Sequence, residues 1–266
     1  MSTTASPAVS PSTSPNTSPN TSPKTRHAPE LAGQTVVVIG GSAGIGLATA
    51  RRARAEGADV VLTGRDPGRL EHAAADVGAR SSAAFDATDT EALAEFFRDL
   101  PTPIDHVLIT AGGPHYGTLL ETDAADVREA LSSPMVVALE VARLVVGRVR
   151  PGGALLLMSG TGARRVGHGL GIASATTAAM PSFTAALALE LAPVRVNLIA
   201  AGFVDTPLSA SLLGDRLDER RDELRTTLPI GRVVGPDDVA ALAVHLMTNT
   251  ALTGATYDID GGQQFV

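Results

Sequence analysis

From Thr35 onward the chain alternates short apolar, β-branched runs with Ala-rich stretches of helical character. The runs read TVVVI, DVVLT, AAF, HVLIT, ALLLM, VRVNLI and TYDI, with a helical segment between each pair. A run with no polar alternation is buried on both faces, and strands of that kind separated by helices make a parallel sheet covered on both sides. Right-handed crossovers then leave an α/β fold, a doubly wound parallel seven-stranded sheet, with ligands in the crevice outside the C-terminal strand ends. Functional groups are expected in the loops that follow the strands.

That pattern occupies residues 30–266, read as a single domain. Residues 1–29 form a Ser/Thr/Pro/Asn tract with a TSPN-TSPN-TSPK repeat and nothing to bury, which predicts a disordered tail outside the fold. The net charge is -7, and because the tail holds Lys24 and Arg26 and no acid, the remainder carries -9. An acidic body argues against a nucleic-acid surface. Polar residues or charges break each apolar run before the roughly 18 residues of a membrane span, so no membrane partner is expected. The chain has no cysteine, which rules out disulfides and thiolate metal sites and suits a reducing compartment. The expected location is cytoplasmic, and no metal is expected.

The first strand runs into Gly40-Gly41-Ser42-Ala43-Gly44-Ile45-Gly46 and then a helix. Glycines there permit a tight turn and let the backbone approach a pyrophosphate held at the helix N-terminus, the dinucleotide-binding arrangement of a Rossmann fold. The second strand ends at Thr63-Gly64-Arg65, where an acid would hold the ribose 2′-hydroxyl of NAD. Arg65 instead offers a planar, permanently charged fork for the 2′-phosphate of NADP, with Asp66 placed to neutralise part of its charge. The cofactor read from this pair of features is NADP(H).

At these residues the sequence resembles the short-chain dehydrogenase/reductase family, and the likeness extends over nearly all of residues 31–266. Gly40, Gly44 and Gly46 match its TGxxxGxG loop, with Ile39 in place of the Thr, and Ser42 and Ile45 fall within the same loop. Asp86, taken to close the third strand in FDATD, matches the residue that reaches the adenine, with Ala87 beside it. Ala111 and Gly112 match the end of its NNAG segment, the two Asn being Ile109 and Thr110. Arg195-Val196-Asn197 and Ala201-Gly202-Phe203-Val204-Asp205-Thr206 resemble its RVN and PG-x-x-x-T stretch, which implies that Gly202, Val204 and Thr206 cup the nicotinamide end. Thr253-Gly254 and Asp260-Gly261-Gly262 resemble signatures of structural and interface character.

The family's reaction centre is a Tyr-x-x-x-Lys pair with a Ser and an Asn. Matching TAAM to the family's KAAL puts Thr177 at the Lys position and Ala173 at the Tyr position. No other register restores the pair, since Lys24 is the only Lys and the only Tyr residues are Tyr116 and Tyr257. The Ser falls among Ser159, Gly160 and Thr161, with Gly160 the best match, and the Asn region reads Leu131-Ser132-Ser133-Pro134. The usual proton relay is absent. Candidates to replace it are His115 and Tyr116 after the fourth strand, His168 after the fifth, and Ser159. Histidine is the side chain best suited to exchange protons near neutrality. Arg164 and Arg165 are secondary candidates for an anionic substrate group. Pro181, inside the expected fifth helix, cannot donate to the Thr177 carbonyl, which predicts a kink or a freed acceptor there.

Residues 207–230 read as a charged helical segment where the family carries a substrate lid, with Leu208, Leu212 and Leu213 facing substrate. Helices four and five are richer in Ala, Val and Leu than one sheet face requires, so the resemblance implies a homodimer or homotetramer through them. The expected activity is NADPH-dependent reduction of a small organic substrate at an atypical site: an imine or iminium ion, an activated C=C, or a C=O. The alternatives are a non-redox isomerase, lyase or cyclase on the same scaffold, and a catalytically silent NADP(H)-binding regulatory subunit.

Overall fold

In the computed structural model, residues 1–2 and 30–266 are described, so the expected tail lies almost wholly outside the described residues. The strands are β1 (Thr35–Ile39), β2 (Asp59–Gly64), β3 (Ser81–Ala84), β4 (Ile104–Ile109), β5 (Val149–Gly160), β6 (Arg195–Ala201) and β7 (Thr256–Ile259). The helices are α1 (Gly44–Ala55), α2 (Pro67–Val77), α3 (Thr90–Asp99), α4 (Ala124–Val145), α5 (Gly171–Glu190), α6 (Pro207–Leu213), α7 (Leu217–Thr227) and α8 (Pro236–Thr248). All seven strands join one parallel sheet in the order β3-β2-β1-β4-β5-β6-β7. The winding reverses between β1 and β4, so the crevice at their C-terminal ends is the topological switch point where this fold holds ligands.

Successive strand residues point to opposite faces, and β1 shows the division. Val37 and Ile39 pack with Phe97, Val141 and Leu187 of α3, α4 and α5, whereas Val36 and Val38 pack with Ala50 of α1 and Val239 and Leu246 of α8. Aspartates start three of the helices, each carboxylate accepting from the first turn: Asp66 from the Arg69 amide, Asp89 from Glu91 and Ala92, and Asp123 from Ala125. Two boundaries differ from expectation. Edge strand β3 ends at Ala84, so Asp86 lies in the loop beyond it, and residues 207–230 divide into α6 and α7 around a short turn at Gly214–Arg216.

Helix α5 corrects one sequence expectation. It is long and apolar enough, by length and composition, to cross a membrane. In the fold it packs against α4, β5 and β6, with Met180 and Leu187 in the core. It runs through Pro181 without interruption, and Pro181 has no N–H for the Thr177 carbonyl.

Two buried polar residues at the N-terminal side of the sheet hold distant segments together. Arg195 of β6 donates to five backbone carbonyls: Nε to Gly152 at 3.0 Å, Nη2 to Met247 at 2.7 Å, and Nη1 to Leu246, Asn249 and Leu252 at 2.7, 3.2 and 3.2 Å. The cation thus sits on the negative end of α8 and satisfies carbonyls that have no helical partner. Asn197 donates to the Leu252 carbonyl at 2.8 Å and accepts from the Ala255 amide at 3.3 Å. The RVN stretch is a structural joint between β6 and the segment that ends α8.

The second is His106 of β4, whose Nε2 lies 2.7 Å from Gln34 Oε1. Gln34 Nε2 donates to the Glu30 carbonyl at 3.4 Å, which leaves its oxygen free to accept and assigns the imidazole proton to Nε2. Nδ1 is then a buried lone pair without a partner. Burial, helped by the Arg195 charge, pushes the His106 pKa down to about 3.

Candidate functional site

The crevice is built around glycines that leave no room for a side chain. Gly40 has φ +96°, and a Cβ on Gly46 would stand 2.3 Å from the Gly40 carbonyl oxygen and 2.6 Å from Thr110 Oγ1. Thr110, a departure from the family's Asn, supplies the loop's inner support, its hydroxyl donating to the Gly40 carbonyl at 3.0 Å and lying 3.2 Å from that of Ile39. Sequence reasoning missed this role, although a hydroxyl ending the strand beside the glycine loop was its signal. The first turn of α1 has neither a side-chain cap nor an acid, so its amides face the crevice available for an anion. Gly46→Ala should displace the loop; nucleotide affinity measured by fluorescence titration is expected to fall at least tenfold, whereas Gly33→Ala, strained at its φ of +73° but with no atom within 4 Å of the added Cβ, should lower stability and leave affinity unchanged.

At the end of β2, Arg65 is 80% exposed and its nearest carboxylate, Asp86, is 3.9 Å away. Asp66 does not neutralise it: that carboxylate caps α2 and lies 3.7 Å from Arg69. Arg69, overlooked in the sequence, adds a second cation on the same rim. Asp86 accepts from the Thr88 amide at 2.9 Å and the Thr88 hydroxyl at 2.8 Å. Those two bonds, helped by the Arg65 charge, hold its carboxyl below the usual range. Ala87 points into the core, Ser42 packs against Gly64, and Ala111 and Gly112 follow β4 directly beside the loop. These residues fit a dinucleotide by shape and by charge: a side-chain-free cradle, an uncapped helix end and a largely exposed guanidinium.

On the far side, Gly202 is required by packing, because a Cβ there would lie 2.6 Å from Asp260 Cβ. Val204 is buried and bridges Val234. Thr206 caps α6 by accepting from the Ser209 amide at 3.3 Å, and it lies against the glycine loop, 3.4 Å from where a Cβ on Gly44 would stand.

The positions matched to the family's Ser, Tyr and Lys do come together, as Gly160, Ala173 and Thr177. A Cβ on Gly160 would meet Thr177 Cγ2 at 3.4 Å, and one on Gly162 would lie 3.7 Å from the Ala173 backbone. The one hydroxyl among them, on Thr177, donates to the Ser174 carbonyl at 3.1 Å. Beside it lies a recess of about 190 Å³ lined by Gly160, Thr161, Arg164, Thr177, Pro181 and Thr256, among others.

The loops carrying the substitute acids are tied to each other. The Gly117 amide donates to the Gly169 carbonyl at 2.9 Å, Leu119 packs over Gly171, and Leu208 of α6 lies 3.7 Å from a Cβ on Gly113. His115, Tyr116, Ser159 and His168 share this end of the sheet, with no side-chain hydrogen bond to one another among the described residues. Ser159 is on β5 opposite Ala200, His168 is exposed and His115 half-buried. Tyr116 is 52% exposed, yet the burial of its hydroxyl end raises its pKa, the opposite of what a proton donor needs. Arg164 is not free for a substrate anion, because it forms a two-pronged pair with Asp258 of β7 at 3.1 and 3.1 Å. Arg165 is exposed. Among the described residues no cluster of His, Asp and Glu could hold a metal ion.

Comparison with known proteins agrees with this geometry. A family model described as enoyl-(acyl carrier protein) reductase matches residues 40–264. The chain is similar to the short-chain dehydrogenase/reductase ATR9 of Stachybotrys chlorohalonatus, at 30% identity over 88% of this chain and 98% of that protein. It is similar to the NADP-dependent (R)-specific alcohol dehydrogenase of Lentilactobacillus kefiri, at 30% identity over 87% of this chain and 97% of that one. Its fold matches the crystal structure of a small-chain dehydrogenase in complex with NADPH, with a TM-score of 0.75 and 26% identity over 88% of this chain and 99% of the other. A parallel sheet wound about a glycine cradle, a model match across nearly the whole fold and relatives matched over almost their full length place this chain in the short-chain dehydrogenase/reductase family of nicotinamide-dependent oxidoreductases.

Proposed function

We propose that the protein is an NADP(H)-dependent reductase whose substrate arrives already activated. The observation that carries the cofactor choice is Arg65, a guanidinium 80% exposed at the end of β2, met only by Asp86 at 3.9 Å, where an NAD-binding site would hold an acid. The NADP-dependent relative from Lentilactobacillus kefiri and the NADPH-bound structure support it. Bound NADPH supplies a hydride. The chain's part is to orient and to exclude water: the glycine loop and α1 hold the pyrophosphate, Arg65 and Arg69 take the 2′-phosphate, and the loop from Gly202 to Thr206 flanks the nicotinamide.

With Gly160 and Ala173 in place of hydroxyl donors, the floor of the site cannot polarise a ketone. A substrate that is already cationic, such as an iminium ion, needs no acid at the accepting carbon, and an activated C=C or a C=O would draw its proton from His115 or His168, Tyr116 being the poorer donor because burial holds its proton. The rim favours an apolar substrate, since Tyr116, Leu119, Leu120, Val166, Leu208 and Leu212 are all exposed on the loops and helix around this end. The same lack of a donor favours the second reading, a non-redox isomerase, lyase or cyclase, or a silent NADP(H)-binding subunit. Val136 of α4 and Leu189 of α5, both exposed, suit a homodimer or homotetramer through those helices.

The test begins with nucleotide titration of the purified chain. NADPH is expected to bind at least tenfold tighter than NADH, and Arg65→Gln to remove about 1.5–3 kcal/mol of NADPH binding while sparing NADH. Equal affinities in the unaltered protein would sink the NADP assignment. Loss of nicotinamide absorbance is then followed with cyclic imines, enones and ketones. Tight binding with no turnover across the panel would overturn the reductase in favour of the second reading.

A further inference from the structure

The segment that crosses from β6 toward α6 is held from outside the crevice. Val204 is bridged to Val234, the Asp205 amide donates to the Val234 carbonyl at 3.0 Å, and Thr206 lies against Gly44 of the glycine loop. Between these contacts the Asp205 carboxylate accepts two bonds from Arg221 of α7, Nε to Oδ2 at 3.0 Å and Nη2 to Oδ1 at 2.7 Å. Arg221 Nη1 donates to Asp218 Oδ1 at 2.8 Å. Two parallel bonds from a rigid fork fix orientation as well as distance.

The two helices of this region are anchored very differently. Leu224 of α7, and Leu228 just past it, are buried, so the arginine is mounted on a fixed support. None of the seven residues of α6 is buried. This helix starts at the Thr206 cap and ends at Gly214, whose φ of +53° and ψ of -126° give a backbone conformation that a side chain disfavours. Its Leu208 and Leu212 are exposed, Leu208 lies over Gly113 and Pro207 beside Gly44, and Ser209 Oγ ties the first turn to the Val204 carbonyl at 2.6 Å. Beyond that first turn, a short helix with no buried residue that ends at a glycine is the part free to swing.

We infer that the Asp205–Arg221 pair is a latch that holds the segment around Thr206 against the glycine loop and so sets how fast the nicotinamide cofactor leaves, with α6 moving when the latch opens. The inference rests on the NADP(H) reading for its cofactor. Thr206 packed against Gly44 closes that end of the crevice, and a nucleotide held on the glycine loop departs past these two residues as they separate. Asp205 adjoins Thr206 in the chain, so whatever fixes Asp205 resists that separation. Arg221 touches neither cofactor nor substrate and is a positioning residue.

The experiment has two readouts on the intact chain: stopped-flow release of NADPH, and hydrogen–deuterium exchange of residues 205–213 without nucleotide. Arg221→Gln is expected to raise the NADPH dissociation rate about tenfold, with a smaller change in association, and to accelerate exchange over 205–213 with Tm nearly unchanged. Asp205→Asn should do the same, the double variant should add nothing further, and Arg221→Lys should recover part of the effect. Asp218→Asn, which removes only the other partner of Arg221, should leave both readouts at the unaltered level. Release and exchange unaltered in Arg221→Gln would overturn the latch, as would an equal effect from Asp218→Asn. If the unaltered protein does not bind NADPH, the cofactor reading falls, and exchange over 205–213 still decides whether the pair holds the segment. Should Arg221→Gln fail to fold, Arg221→Lys and Asp205→Asn decide by the same two readouts.

Discussion

Arg195→Leu is expected to destabilise the protein by about 3–5 kcal/mol, lowering Tm by roughly 10 °C in a calorimetric scan. Leucine matches the apolar surroundings but takes the guanidinium from the carbonyls of Gly152, Leu246 and Met247, whereas those of Asn249 and Leu252 keep the Leu252 amide and the Asn197 side chain. Carbonyls stripped of a partner in a buried site lose their hydration with nothing in return, and the C-terminal end of α8 loses the positive charge on its axis. Arg195→Lys should recover less than half, since an ammonium carries three donors on a flexible stem and cannot reach carbonyls on both sides as a planar fork does. A Tm within 2 °C of the unaltered protein for the leucine variant would show that water replaces the guanidinium there.

The second large effect depends on pH. His106 is buried with its pKa lowered to about 3, while in the unfolded chain it titrates near the ordinary 6.5. The unfolded state therefore binds a proton that the folded state refuses. The stability is complete above about pH 6.5 and is lost as pH falls toward about 3, at about 1.4 kcal/mol per pH unit. His106→Leu removes this proton linkage. At pH 8 the variant should be no more stable than the unaltered protein, because Gln34 loses its partner. At pH 5 it should gain about 2 kcal/mol relative to the unaltered protein. Urea titrations at the two pH values measure the difference; parallel stability curves for the two proteins would mean that His106 is protonated in the fold.

The sheet was legible because strands buried on both faces must be continuously apolar, and TVVVI, DVVLT and ALLLM have no other stable environment. Edge strand β3 was less so, since Ser81–Ala84 is mostly exposed and carries little of that pattern. The glycine cradle could be read from spacing because the absence of side chains is itself the signal. Partnerships between distant residues could not. Arg164 finds Asp258, 94 residues on, and Arg195 finds carbonyls 51 to 57 residues on, so neither charge could be separated in the sequence from one free to meet a ligand. The local case of Arg65 and Asp66 misleads differently: adjacency suggested a pair, but a carboxylate just before a helix is drawn to its first amides.

The clamp around Arg195 also couples two parts of the chain that lie far apart in sequence. Its guanidinium is carried by β6, whereas four of its five acceptors belong to the segment from Leu246 to Leu252 that follows. With that segment detached, a docked β6 would leave a cation among apolar residues. The start of β6 and the end of α8 are therefore expected to fray together rather than one at a time.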